Sequence, residues 1–336
     1  MQVDQLSEGQ LAGQRLMVGF DGTTLNQELK YLIDTVKVGG IILFSRNIKG
    51  PKQLGKLCRA AQDYARSVGQ PPLFIAVDQE GGEVARLRSP FTEFGGNPKM
   101  KDGADAITFA TITAGELKQV GINMNMAPVM DVAFPHVQSV MAGRSFGSDP
   151  AWTAEMGVTV IDQFQKNGIM AVAKHFPGIG RTTLDSHIDR PYLETAAKTL
   201  MKTDIIPFTA AIDHHVSGMM LSHIVYKEID PHWPASLSPA IAVDLLRKKW
   251  GYGGLVLTDD LDMGAIKRYY PIDTVITQIM AADVDQALIC HKGPDIETAA
   301  EKMTAIIHDS LEMRTRAMAS VKRIFAAKET YLGATK

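Results

Sequence analysis

Ile169-Met170-Ala171-Val172-Ala173 runs without a polar side chain and then meets Lys174-His175-Phe176-Pro177-Gly178. An unbroken apolar run that ends in a basic pair and a turn reads as a strand buried on both faces, because a half-exposed strand alternates. The same figure returns along the chain. Residues 16–20 precede Asp21, 41–44 precede Ser45-Arg46-Asn47, 73–77 precede Asp78-Gln79-Glu80, and 122–129 precede Asp131. Residues 219–221 precede Ser222-His223, 255–257 precede Thr258-Asp259-Asp260, and 287–289 precede Cys290-His291.

Helical patterns fill most of the intervals. Pro51 suits the first turn of a helix over 51–66. Asp149-Pro150 and Ser238-Pro239 read as an N-cap followed by proline at the first helical position, and Asn167-Gly168 and Gly251 as C-terminal stops. Eight strands alternating with helices in 336 residues predict an α/β protein with a (β/α)8 TIM-type barrel. The expectation is one domain, residues 1–336, with a barrel core over 14–293 and C-terminal helices over 294–330.

Composition narrows the function classes. Hydrophobic residues make up 45 % of the chain and the formal net charge is −2, so a large core is available and neither nucleic acid nor an anionic membrane is an expected partner. The two cysteines, Cys58 and Cys290, supply neither a disulfide framework nor a zinc spacing. Met1 to Gln10 is polar, without a signal-like apolar stretch, and no apolar run approaches the roughly 20 residues that span a bilayer. A soluble, cytoplasmic protein is expected.

In such barrels the chemistry sits at the C-terminal ends of the strands. There the loop from Lys174 to His187 presents Asp185-Ser186-His187. Residues two apart in an extended segment share a side, so Asp185 can fix the tautomer of the His187 ring and prepare it for acid/base work, although an ordinary loop with a solvated histidine fits the tripeptide too. Gly178-x-Gly180 lacks the third glycine of a dinucleotide fingerprint. Asp259 is the first carboxylate past its strand. Asp260 and Asp262 follow it, and either a helix cap or a metal cluster is conceivable there. No matching cluster is evident elsewhere, so no metal is expected. Asp78 either accepts hydrogen bonds from sugar hydroxyls or makes a structural salt bridge with Arg86 or Arg144. His214-His215 reads as a helix end, Cys290 as a packed thiol, and the methionines as core.

Together these segments resemble glycoside hydrolase family 3, in its bacterial β-N-acetylglucosaminidase branch of cell-wall recycling. The resemblance runs from about Met17 to Cys290. It rests on Ile42-Leu43-Phe44-Ser45-Arg46-Asn47, Val77-Asp78-Gln79-Glu80-Gly81-Gly82, Ala127-Pro128-Val129-Met130-Asp131-Val132, Gly143-Arg144-Ser145-Phe146 and the 174–187 loop. Asp230-Pro231 with Pro234-Ala235-Ser236, and Thr258-Asp259-Asp260-Leu261-x-Met263, complete the series. The resemblance implies that Asp259 is the nucleophile of a retaining double displacement and that His187 is the general acid/base, with Asp185 as its partner. It implies that Asp78, Arg86, Arg144, Lys174 and His175 bind the N-acetylglucosamine ring. The implied substrate is a small carbohydrate or muropeptide, with no cofactor, and a monomer is expected. Relatives acting on glucosides often take the acid/base from a second domain, for which this chain has little room. Two positions depart from the family pattern: Gly178-Ile179-Gly180 usually reads Gly-His-Gly, and Glu83 is usually arginine. The competing expectations are another glycosidase or a phosphorylase on the same barrel, a Schiff-base aldolase using Lys174, and a non-catalytic sugar-binding barrel.

Overall fold

The computed structural model describes residues 2–186 and 189–333. The apolar runs form eight parallel strands: β1 (Leu16–Val18), β2 (Gly40–Leu43), β3 (Phe74–Val77), β4 (Met124–Asn125), β5 (Met170–Phe176), β6 (Gly218–Leu221), β7 (Leu255–Asp260) and β8 (Gln286–Ile289). They close into a barrel in chain order, each pairing with the next and β8 with β1. The predicted (β/α)8 barrel is therefore observed.

Alternation explains the unbroken apolar runs. Met17, Phe74, Met124, Met170 and Met220 belong to one cluster inside the barrel. Their neighbours, such as Leu16, Ile75 and Leu221, belong to a second cluster with the surrounding helices. Each strand thus has two apolar faces to satisfy. Flexible thioethers fill the tapering interior.

Three strands differ most from their predicted extents. The run at 122–129 is a strand only over Met124–Asn125, because Pro128 has no N–H to offer a ladder. Its carbonyls still serve β5: Val172 N donates to Ala127 O at 3.0 Å and Lys174 N to Pro128 O at 3.1 Å. β5 and β7 run on through His175 and Asp259, so these side chains are carried by strands rather than loops. Both strands shift register near their C-terminal ends, between Lys174 and Phe176 and between Leu257 and Asp260. Such irregularities re-aim the side chains at a strand end.

The predicted helix signals hold. Asp149 accepts from Ala151 N at the head of Pro150–Lys166, and Gly168 follows its end at φ +79°. The Ser238 hydroxyl accepts from Ile241 N at 3.2 Å where Ala240–Lys249 begins. His214 follows the end of Ile206–Asp213.

Two further helices, Asp295–Asp309 and Leu311–Leu332, follow β8. The second closes the barrel floor with Ile324 and Phe325. Asp285, fully buried, fastens it there by accepting from Ser320 Oγ at 2.7 Å, Arg323 Nε at 2.9 Å and Arg247 Nη2 at 2.6 Å. Lys328 enters the same floor. Its ammonium donates to Gln14 Oε1 at 2.8 Å and lies 5.5 Å from the Phe74 ring centroid. Burial pulls its pKa down to about 7.

Above pH 7 and up to the ordinary lysine value, the unfolded chain holds a proton that the folded chain releases. Lys328 therefore costs most stability below pH 7, and the cost lifts as pH rises through that window. Lys328→Met is expected to raise the unfolding free energy measured in urea at about pH 6, on the order of a few kcal/mol, and to do so far less at about pH 10. An equal shift at both pH values would contradict this assignment.

Candidate active site

The C-terminal ends of the strands open on a cavity of about 300 Å³, the low end for small-molecule sites and suited to one sugar ring. Asp78, Arg86, Arg144, Lys174, His175 and Asp259 all line it. Asp185 is exposed on the loop after β5, and His187 lies outside the described residues.

Asp78 leaves β3, and the chain then turns back in a short hairpin of Gln79–Gly81 with Val84–Ala85. Gly81 and Gly82 make the turn at φ +84° and +62°, where a side chain is strained. The Gln79 side chain holds the hairpin closed by accepting from Arg86 N at 2.8 Å and Leu87 N at 2.9 Å. Arg86 is thereby returned to Asp78, with Nη2 3.3 Å from Oδ2.

Lys174 is buried at the end of β5, and its ammonium sits between two carboxylates: Asp78 Oδ1 at 2.8 Å and Glu80 Oε1 at 2.6 Å. Arg144 grips the other side of Glu80 in a bidentate pair, at 2.9 and 2.7 Å. Burial alone would push Asp78 up, but Lys174 and Arg86 outweigh it and bring it to about 2. Burial likewise opposes the charge on Lys174, yet Asp78 and Glu80 raise its pKa overall. A Schiff-base lysine needs a neutral amine, so the aldolase expectation fails on this geometry. Of the two salt-bridge partners foreseen for Asp78, Arg86 forms the bridge, and Arg144 gives its fork to Glu80 instead.

His175 is oriented by Asp131, which is fully buried. Its Nδ1 lies 2.7 Å from Asp131 Oδ2, and its Nε2 lies 4.0 Å from Asp259 Oδ2. Asp259 Oδ1 accepts from Asp260 N at 2.8 Å. Burial raises the Asp259 pKa, but His175, His223, that N–H and Lys174 together hold it below the ordinary value. Its neighbour is pushed the other way: burial lifts Asp260 to about 6. Asp260 Oδ1 accepts from Asp262 N at 3.0 Å and Cys290 N at 3.1 Å, which ties β7 to β8. His223 is buried beneath, its Nε2 2.9 Å from Asp260 O. Asp260, Asp262 and His291 bring ligand-type atoms within 4.8 Å of one another. The Lys267 ammonium already occupies Asp262 Oδ1 at 2.6 Å.

One wall is aromatic. Phe44 carries the Arg46 and Arg86 guanidinium carbons 4.6 and 5.4 Å from its centroid. The first arm of the loop after β5 is tied down. Ile179 N donates to Asp131 Oδ1 at 2.7 Å, Tyr226 OH donates to Gly178 O at 2.8 Å, and Arg181 pairs with Asp204 at 2.9 Å.

The model of the glycosyl hydrolase family 3 N-terminal domain matches residues 4–327. The chain belongs to glycosyl hydrolase family 3. It is 36 % identical over 285 residues to a β-hexosaminidase of Alkalilimnicola ehrlichii, covering 82 % of this chain and 80 % of that one. It is similar to a family 3 β-N-acetylglucosaminidase structure from Paenibacillus sp. strain FPU-7, with a TM-score of 0.94 and 35 % identity. That match covers 98 % of this chain and spans 63 % of the Paenibacillus chain. A β-N-acetylhexosaminidase structure from Beutenbergia cavernae matches with a TM-score of 0.87 and 30 % identity, covering 96 % of this chain and 99 % of that one.

The two departures from the family 3 pattern have different settings. Ile179 packs into the outer core at 6 % exposure, while its backbone serves Asp131. Glu83 is exposed and its carboxylate stands against Gly143 at the rim. Sequence reasoning named neither Glu80 nor Asp131 as a site residue. The signal for Glu80 was present, since residues two apart in an extended segment share a face and Asp78 defines that face. For Asp131 the only signal was an acid beyond an apolar run. Removing the charge of Glu80 leaves Lys174 and Arg144 without half of their compensation. Glu80→Gln is expected to cost about 3–5 kcal/mol in urea unfolding, and a loss below 1 kcal/mol would show that the network does not depend on it.

Proposed function

We propose that this family 3 chain is a retaining β-N-acetylglucosaminidase that releases terminal non-reducing N-acetylglucosamine, from cell-wall muropeptide fragments, acting as a cytoplasmic monomer. The observation that carries this reading is Asp259: a carboxylate held ionised at the end of β7, in a cavity sized for one sugar and lined by Asp78, Arg86, Arg144, Lys174 and His175. The names of the similar proteins support the N-acetyl sugar. Two buried free thiols, Cys58 and Cys290, are in keeping with a reducing compartment, and among the described residues no helix is long and apolar enough to cross a membrane.

The mechanism has two displacements. The Asp260 N–H on Oδ1 fixes the plane of the Asp259 carboxylate, so Oδ2 attacks the anomeric carbon. The bond to the aglycone oxygen breaks as His187 gives that oxygen its proton, with Asp185 orienting the ring. Water then attacks the glycosyl ester, His187 takes a proton from the water, and Asp259 leaves as carboxylate. The configuration is retained because it inverts twice. A second carboxylate in place of His187 would raise the pKa of one acid of the pair, and a neutral imidazole avoids this. Water is favoured over phosphate as acceptor, since Arg86, Arg144 and Lys174 are each already paired with Asp78 or Glu80.

Wild type is expected to cleave an aryl N-acetyl-β-glucosaminide and not the matching β-glucoside, and Asp259→Ala to lose about 10³-fold or more in kcat. Equal rates on both sugars would remove the substrate assignment. His187→Gln is expected to lower kcat/KM for an alkyl N-acetylglucosaminide by about 10²-fold while leaving that for a nitrophenyl glycoside within about twofold. Equal losses on the two substrates would remove the acid role.

A further inference from the structure

The loop after β5 and the segment that follows β7 are joined outside the cavity. Ser186 O accepts from Ala265 N at 3.0 Å, and the Asp189 carboxylate accepts from the Tyr269 hydroxyl. Arg190 donates to Tyr270 OH at 2.5 Å and to the Tyr192 hydroxyl. Its guanidinium carbon lies 4.3, 5.0 and 5.5 Å from the ring centroids of Tyr269, Tyr192 and Tyr270. Asp189 N donates to Asp185 O at 3.2 Å, which closes this arm of the loop on itself. Tyr270 is backed in turn by Trp233, 5.3 Å between centroids. None of these residues lines the 300 Å³ cavity.

We infer that Arg190 and Tyr269 are positioning residues, a clasp that sets the acid/base loop relative to Asp259. The inference rests on the assignment of His187 as the acid/base. Ser186 and Asp189, the described residues nearest to position 187 in the chain, are both held by the segment after β7. Tyr269 stands ten residues after Asp259 in the chain, and the short helix Gly264–Lys267 lies between them. One segment therefore carries the nucleophile at one end and the clasp at the other. A general acid acts only within hydrogen-bond reach of the leaving oxygen, so a loop displaced by an ångström loses its effect while the nucleophile keeps its own. An arginine stacked among tyrosine rings suits this task, because its flat fork fixes an angle as well as a distance. Tyr192 and Tyr269 are 45 % and 44 % exposed, so opening the clasp uncovers little core.

The test measures kcat/KM of Arg190→Met and Tyr269→Phe on an alkyl and on a nitrophenyl N-acetyl-β-glucosaminide, with His187→Gln alongside and a melting curve for each. The clasp is supported if both variants lose about tenfold or more on the alkyl glycoside, stay within about twofold on the nitrophenyl glycoside, and weaken the basic limb of the alkyl pH profile. Tyr269→Phe keeps its ring, so it still reports if Arg190→Met folds poorly. Equal losses on both substrates, or none, with His187→Gln remaining selective for the alkyl glycoside, overturn the clasp alone. An unselective His187→Gln overturns the acid/base assignment and the clasp with it.

Discussion

The Lys174 ammonium, buried between Asp78 and Glu80, is the interaction on which the mouth of this barrel depends. A lysine there is tolerable only with two carboxylates at hydrogen-bond distance, and two carboxylates so close are tolerable only with cations between and beside them. Arg144 and Arg86 complete the balance from the loops after β4 and β3. One consequence is structural: β3, its hairpin, β5 and the loop carrying Arg144 are locked to one another. The other is chemical. The cavity receives fixed charges of both signs that are already compensated.

Asp259 stands at the edge of this network and feels it. His175, held by Asp131, and Lys174 both favour its ionised form, while Asp260, one residue on, is raised by burial. Neighbouring carboxylates with opposite displacements divide the work. Asp259 stays charged at the cavity; Asp260 spends one oxygen on two backbone N–H groups and fastens β7 to β8. The register shifts at the ends of β5 and β7 belong to the same design, since they bring His175 and Asp259 to face each other.

Much of this was legible in the chain itself. Eight unbroken apolar runs, each ending in polar residues, determine a barrel of parallel strands buried on both faces, and the Asp149-Pro150 and Asn167-Gly168 signals determine where helices start and stop. The residues at those strand ends, Asp78, Lys174, His175 and Asp259, announce the mouth, because strand direction alone puts them at one end of the barrel. What only the tertiary structure decided is who pairs with whom. Glu80 rather than Asp78 takes Arg144, Asp131 takes His175, and Arg190 stacks against Tyr269 and Tyr270 from the segment after β7. Those partners are set by barrel closure and by register shifts at strand ends, which bring residues tens of positions apart within hydrogen-bond distance, and no local pattern of polarity encodes a contact made across the barrel.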